Sequence, residues 1–354
     1  MKILVIQMQM IGDVLTSSIL FEALRKKYPD AELHYLIYKH TIPVVENNPF
    51  IDKLIIFDPD KNKSLRGLIP IITHVKGQKY DILIDVYSKI NTALISHFSG
   101  IPVKIGYKKW YTRFAYTKTY NRLSTAKTEA GLAIEKRMQL LQEIDCGFPV
   151  QIRPKIYLSQ SEKNQAETAL QEAGISLKQD ICMISILGSS APKSYPPAYM
   201  AQFLDRLARQ TKAQLLFNYI PSQLEQVREI FALCQPQTQE QIFIDFYAKS
   251  LREFLAITSH CQAMIGNEGG AINMAKALDI PTFAIFAPVL KKSQWNIFDD
   301  GKKHMSVHLE DFKPDLFKEK PRKELKKKNE ALYQLFKPEL MEKEIQKFLQ
   351  YNLE

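Results

Sequence analysis

No apolar run in this chain approaches the roughly 18–20 residues that cross a bilayer, so no membrane-spanning helix is expected. Nor does the N-terminus read as a secretory signal. Met1-Lys2 leads into only a brief apolar run, and Asp13 stands where a small-residue cleavage site would lie. Cysteine is scarce: Cys146, Cys182, Cys234 and Cys261 are scattered, with no CxxC spacing. Reduced, buried thiols in a cytoplasmic protein are the expectation. GxGxxG and GxxxxGK followed by Ser or Thr are absent, which removes the dinucleotide and P-loop fingerprints. There is no HExxH and no Cys/His cluster, so no metal site is expected. Asp58-Pro59-Asp60 has the outline of a metal-binding DxD, but its proline favours an ordinary turn.

What is present is 354 residues, enough for two domains with separate cores. The net charge of +10 is unevenly spread. Lys104, Lys108, Lys109, Arg113, Lys118 and Arg122 fall in a stretch without an acid, interleaved with Tyr107, Trp110, Tyr111, Phe114, Tyr116 and Tyr120. Such a stretch implies an anionic partner. The Lys318–Lys328 tract is also basic, and is expected to be solvated surface.

Strand and helix patterns alternate. Expected strands are Lys2–Gln7, Leu33–Ile37, Lys53–Phe57, Ile82–Asp85 and Val103–Gly106, with helices at Asp13–Tyr28, Asn91–Ser99 and Lys127–Asp145. Gly147, Pro149 and Pro154 mark a linker. The pattern then resumes, with strands expected at Ile181–Leu187, Gln214–Phe217, Ile242–Asp245, Ala263–Ile265 and Thr282–Phe286. Two open parallel α/β sheets follow, with ligands outside the carboxyl ends of their strands.

Three loops at such ends carry polar candidates. Met10-Ile11-Gly12-Asp13 follows the first strand, and Asp13 is either a helix cap or a general base. Gly188 to Pro196 supplies Ser189, Ser190 and Lys193, suited to a diphosphate. Gly266 to Gly270 opens a helix. Gly269 and Gly270 form either a plain structural turn or a phosphate cradle of free N–H groups at a positive dipole end.

Four runs in order resemble family 9 glycosyltransferases, the lipopolysaccharide heptosyltransferases and their relatives. They are KILVIQMQMIGDVLTSSILFEALRKKYPDAELHYLI, YDILIDVYSKINTALISHFSGIPVKIGY, GSSAPKSYPP and IGNEGGAINMAKAL. The resemblance extends over most of Met1 to Pro288. It implies a GT-B architecture, two Rossmann-like domains facing across a cleft. Residues 1–150 would take the acceptor and 155–330 a nucleotide sugar, with the helix over 338–350 crossing back onto the first domain. It implies Asp13 as the base, Lys193 on the diphosphate and Glu225 near the donor. The donor would be a nucleotide sugar such as ADP-heptose, with no further cofactor. The acceptor would be an anionic inner-core lipopolysaccharide or similar glycolipid, met by Gly12, Lys108, Lys109 and Arg113 during peripheral contact with the inner membrane.

Some positions depart from the family. Glu268-Gly269-Gly270 and Asn273 stand where it has Asp-Ser-Gly and a later His, and Gln7 stands where Arg is frequent. The glycine amides keep the phosphate logic, while the donor-sugar contacts of Glu268 and Asn273 stay open. The expected reaction is a metal-independent single displacement with inversion. A nucleotide-sugar epimerase or hydrolase would use the same cradle without an acceptor site. Single-stranded nucleic acid on the aromatic basic stretch is the rival from another class. It leaves both loops of the second sheet unexplained, so nucleic acid is not an expected partner.

Overall fold

Strand β1, Lys2–Ile6, lies inside the first sheet of the computed structural model, which describes residues 1–354 apart from 63, 319–321 and 354. Part of the basic tract, 319–321, is therefore outside the described residues. β1 pairs in parallel with β2 (Glu32–Tyr38) and β4 (Ile82–Asp85), Ile3 lying between Leu33 and Ile82. β3 (Lys53–Phe57), β5 (Val103–Tyr107) and β6 (Lys118–Tyr120) complete the order β3-β2-β1-β4-β5-β6. Ile3, Leu4, Val5 and Ile6 are all fully buried, as both faces of a parallel sheet are covered; the strand therefore reads as a continuous apolar run. Strand order reverses between β1 and β4, so their carboxyl ends define the ligand-binding edge.

The chain divides into Met1–Tyr157 and Leu158–Glu354. The second unit holds β7 (Ile181–Ser185), β8 (Gln214–Phe217), β9 (Ala263–Asn267), β10 (Thr282–Ile285) and β11 (His304–Val307). All are parallel, in the order β11-β10-β9-β7-β8, with the reversal between β7 and β9. Among the described residues no helix is long and apolar enough to cross a membrane.

Several elements differ from expectation for identifiable reasons. The first helix is two, Ile11–Ser17 and Ile19–Lys27. At the junction the Ser18 hydroxyl donates back to the Leu15 carbonyl at 2.7 Å, a bond that competes with the helical ladder. The helix expected over 127–145 is shortened to Leu132–Gln139 and a 3-10 turn, Leu140–Glu143. The Glu135 carboxylate takes the backbone N–H groups of Lys127 and Thr128, tying them into a loop before the helix. Ile242–Asp245 is not a strand. It makes one bridge to Leu215, after which the Tyr219 hydroxyl claims the Ile244 carbonyl. The edge strands β6 and β11 are short and mixed in polarity, and no apolar run announces them.

The terminal helix, Glu342–Asn352, packs on elements of the second unit. Phe348 packs on Phe283 with ring centroids 5.7 Å apart, and Arg206 binds Glu339 and Glu342 at the start of the segment. Full burial of one such phenylalanine stabilises by about 1.5–3 kcal/mol, enough to fix where the helix lies.

Candidate active site

Asp13 sits in the first turn of Ile11–Ser17, immediately beyond β1. It is not the cap. Met10 occupies that position, and no side chain caps the helix. The Asp13 carboxylate is bound instead by Arg137, Nη2 to Oδ1 at 2.9 Å. Arg137 is itself almost wholly buried: Nε donates to Ser17 Oγ at 2.8 Å and Nη1 to the Ala133 carbonyl at 2.6 Å. Ser17 Oγ also donates to the Asp13 carbonyl and accepts from Gln7 Nε2. Gly12 precedes this group. No heavy atom lies within 4 Å of where a Cβ would stand, so its α-carbon faces open space.

The ends of β4, β5 and β6 gather cations. After β4, Asp85 is fully buried and accepts from the Tyr87 and Ser88 amides and from the Tyr116 hydroxyl. Burial raises its carboxyl above the usual range, and those hydrogen bonds oppose the rise. Lys109 reaches back over this turn and donates to the Ser88 and Tyr87 carbonyls at 2.5 and 3.3 Å. Burial, then Arg122 and Lys89, push its amine down to about 8. Lys136 is likewise lowered, by burial and by Arg122 and Arg137. Arg122 lies over the Tyr107 ring, 4.5 Å from its centroid, and the Tyr107 hydroxyl donates to the Lys136 carbonyl. Arg122 thus acts on both Lys109 and Lys136, and Lys89 on Lys109, with the buried Asp85 carboxylate the acid that partly offsets them at Lys109. Lys108 and Arg113 are exposed, and the cations that perturb Lys109 are Arg122 and Lys89.

In the second unit the loop after β7 is folded tightly. A Cβ on Gly188 would stand 2.4 Å from the Lys193 carbonyl oxygen, so only glycine fits there. Asn267, buried at the end of β9, joins this loop to the glycine turn. Its Oδ1 accepts from the Tyr195 amide at 2.7 Å, and its Nδ2 donates to the Ser185 and Ile186 carbonyls. Ser189 and Ser190 are exposed on the loop, and Lys193 is half-buried. Glu268 follows Asn267. Burial raises its carboxyl, opposed by the nearby Lys193 and Lys276 amines. Gly270 begins the helix Gly270–Ala277, and no side chain caps it. Its first N–H groups therefore have no side-chain partner and are open to water or a ligand. The helix Asn329–Leu335 walls this region: Asn329 donates to the Pro192 carbonyl, and Tyr333 stacks edge-on to Tyr195.

The structure thus brings Lys193, Glu268, Gly269 and Gly270 together, with Asn273 half-buried one turn along the helix. Glu225 is exposed in the first turn of Leu224–Leu233, and among the described residues no hydrogen bond or ion pair joins it to that group. Sequence reasoning missed Arg137, Asn267, Lys89 and Lys136. Asn267 stood inside a quoted motif, and its position at a strand's end was the available signal. Arg137 and Lys136 read as the polar face of an amphipathic helix.

Two parallel-sheet α/β domains, each with polar loops at the switch point of its sheet, make up the GT-B architecture. Residues 70–325 match the model of glycosyltransferase family 9, the heptosyltransferases, and the chain belongs to that family. It is 24% identical over 282 residues to lipopolysaccharide heptosyltransferase 3 of Escherichia coli, covering 78% of this chain and 80% of that one. A family 9 glycosyl transferase from Veillonella parvula superposes with a TM-score of 0.75 at 20% identity, covering 94% of this chain and 97% of that one. The E. coli ADP-heptose lipopolysaccharide heptosyltransferase II superposes with a TM-score of 0.65 at 18% identity, covering 94% and 99%.

Proposed function

We propose that this protein transfers a heptose, with inversion, from ADP-heptose to an anionic inner-core lipopolysaccharide or similar glycolipid. The observation that carries the reading is the Asp13 carboxylate, displayed beyond β1 at the switch point of a sheet whose neighbouring strand ends gather four cations. Asp13 takes the proton of the acceptor hydroxyl, and the oxygen bonds to the anomeric carbon. The bond from that carbon to the diphosphate breaks on the opposite face, and the nucleoside diphosphate leaves with the electron pair. General base catalysis of this kind contributes typically 10²–10⁴-fold. Lys193 and the amides at Gly269 and Gly270 neutralise the departing charge, and Ser189 and Ser190 add hydroxyls beside it. This arrangement asks for no metal, and turnover in EDTA should equal turnover with magnesium.

Lys109, with Lys89, Arg122 and Lys136, receives the acid groups of the acceptor. Lys108 and Arg113 act further out, where Trp110 is 86% and Phe114 56% exposed. Cations beside exposed aromatics suit peripheral contact with an anionic membrane, each basic residue contributing on the order of 1 kcal/mol. Replacing Trp110 and Phe114 with Ser should weaken sedimentation with anionic vesicles while donor affinity holds. The deciding assay combines a thermal-shift screen of ADP, GDP, UDP and CMP sugars with transfer to truncated lipopolysaccharide. Stabilisation by ADP-heptose and transfer that disappears in Asp13→Asn support the reading. Transfer at the wild-type rate by Asp13→Asn removes Asp13 as base.

A further inference from the structure

Arg137 is placed to do more than hold two helices together. Its guanidinium is fixed by Ser17 Oγ through Nε and by the Ala133 carbonyl through Nη1, and it meets the Asp13 carboxylate through Nη2. The Arg137 side chain is 8% exposed and that of Asp13 20%, so solvent screens this pair less than a surface pair. Only Oδ1 is engaged. Among the described residues Oδ2 of Asp13 has no hydrogen-bond partner. A planar donor fork anchored at two further points sets the rotation of a carboxylate in a way that a flexible ammonium does not.

We propose that Arg137 is the positioning residue of the catalytic carboxylate: it binds Oδ1 and so turns Oδ2 toward the acceptor hydroxyl. The inference rests on the reading of Asp13 as the base. In this role Arg137 acts through Asp13, with its three nitrogens already committed to Ser17, Ala133 and Asp13. Its effect is on the fraction of bound complexes in which the carboxylate is aligned, and therefore on kcat. A misplacement of about 1 Å at a reacting group costs on the order of 100-fold. Ser17 anchors Nε and also donates to the Asp13 carbonyl, so it supports the same carboxylate both through Arg137 and directly, and carries a smaller share.

The test compares Arg137→Lys, Arg137→Ala, Ser17→Ala and Asp13→Asn. The probes are ADP-heptose and truncated lipopolysaccharide, with melting temperature and donor affinity measured for each protein. Arg137→Lys should lose about 10- to 100-fold in kcat, with the KM for both substrates and the donor affinity within about twofold of wild type. Ser17→Ala should lose several-fold. Added methylguanidinium should restore part of the kcat of Arg137→Ala and none of that of Asp13→Asn, a readout that a purely structural role would not move. Wild-type kcat in folded Arg137→Lys and Ser17→Ala, with Asp13→Asn inactive, overturns the positioning role and leaves the base in place. An active Asp13→Asn instead removes the base and the positioning role together. If Arg137→Lys and Arg137→Ala do not fold, Ser17→Ala decides: unchanged kcat there overturns the proposal.

Discussion

The Asn267 side chain accepts the backbone N–H of Tyr195 at 2.7 Å, across 72 residues of sequence. That bond, with the two that its Nδ2 makes to Ser185 and Ile186, locks the loop bearing Lys193 against the turn bearing Gly269 and Gly270. The proposed diphosphate site needs both elements, and the amide fixes their spacing.

Asn267→Ala leaves a buried N–H and two buried carbonyls without this partner. Each such group costs about 1–3 kcal/mol. Melting should fall by several degrees, and the affinity for nucleotide sugar in a calorimetric titration should drop at least tenfold, with acceptor binding retained. Donor affinity equal to wild type would mean that the loop holds its shape without the amide.

Gly270→Val tests the glycine turn directly. No heavy atom of the protein lies within 4 Å of a Cβ built there, so the fold should tolerate the change with little loss of stability. A phosphate approaching the helix N-terminus would meet the new methyl groups. Donor affinity should fall about tenfold or more while the melting temperature of the free protein stays close to wild type. An unaffected titration would reduce the turn to a structural role.

The cation cluster predicts a pH dependence. Lys109, held down to about 8, is protonated below that pH and loses its charge above it. Affinity for an anionic acceptor should therefore be full near pH 7 and decline as pH rises through 8, whereas donor affinity should not follow that curve. The double change Lys109→Gln and Arg122→Gln should raise acceptor KM and flatten its salt dependence. Lys108→Gln with Arg113→Gln should instead act mainly on vesicle binding. A pH profile identical in Lys109→Gln would exclude Lys109 as its source.

The same amine bears on stability. Its folded pKa lies below the ordinary lysine value of 10.5, so the charged form is disfavoured on folding. That penalty is present below about 8 and is relieved as pH rises toward 10.5. Lys109→Met should raise the melting temperature at pH 7 and lose that advantage near pH 10.

Glu162 behaves in the opposite sense. Arg252 binds both of its carboxylate oxygens and, with the Ser159 hydrogen bonds, holds it down to about 2. The stability this pair contributes is present above the ordinary carboxylate range and is lost as pH falls toward 2. Glu162→Gln should melt below wild type at pH 7, the two curves converging in acid. A gap that persists at pH 2 would point to packing rather than charge.

Most of the strand and helix order, the two-sheet class and the polar loops at the strand ends were legible in the sequence. Each follows from local pattern: continuous apolar runs for buried parallel strands, glycine and proline at their ends, and polar loops just beyond. Asp13 could be singled out because it follows β1 directly. Its partner could not, since Arg137 lies 124 residues away and on its own helix looks like any solvated cation. The same holds for the basic stretch. Sequence placed Lys108, Lys109 and Arg113 together because they are neighbours in the chain. Tertiary structure turned Lys109 inward over the β4 loop to join Lys89, Arg122 and Lys136, and left the other two outside. The terminal helix shows the same limit, its amphipathic pattern specifying an apolar face but not the surface that face covers. Local periodicity fixes what an element is. Which distant groups it meets depends on helix rotation and strand order, and those are settled only when the whole core packs.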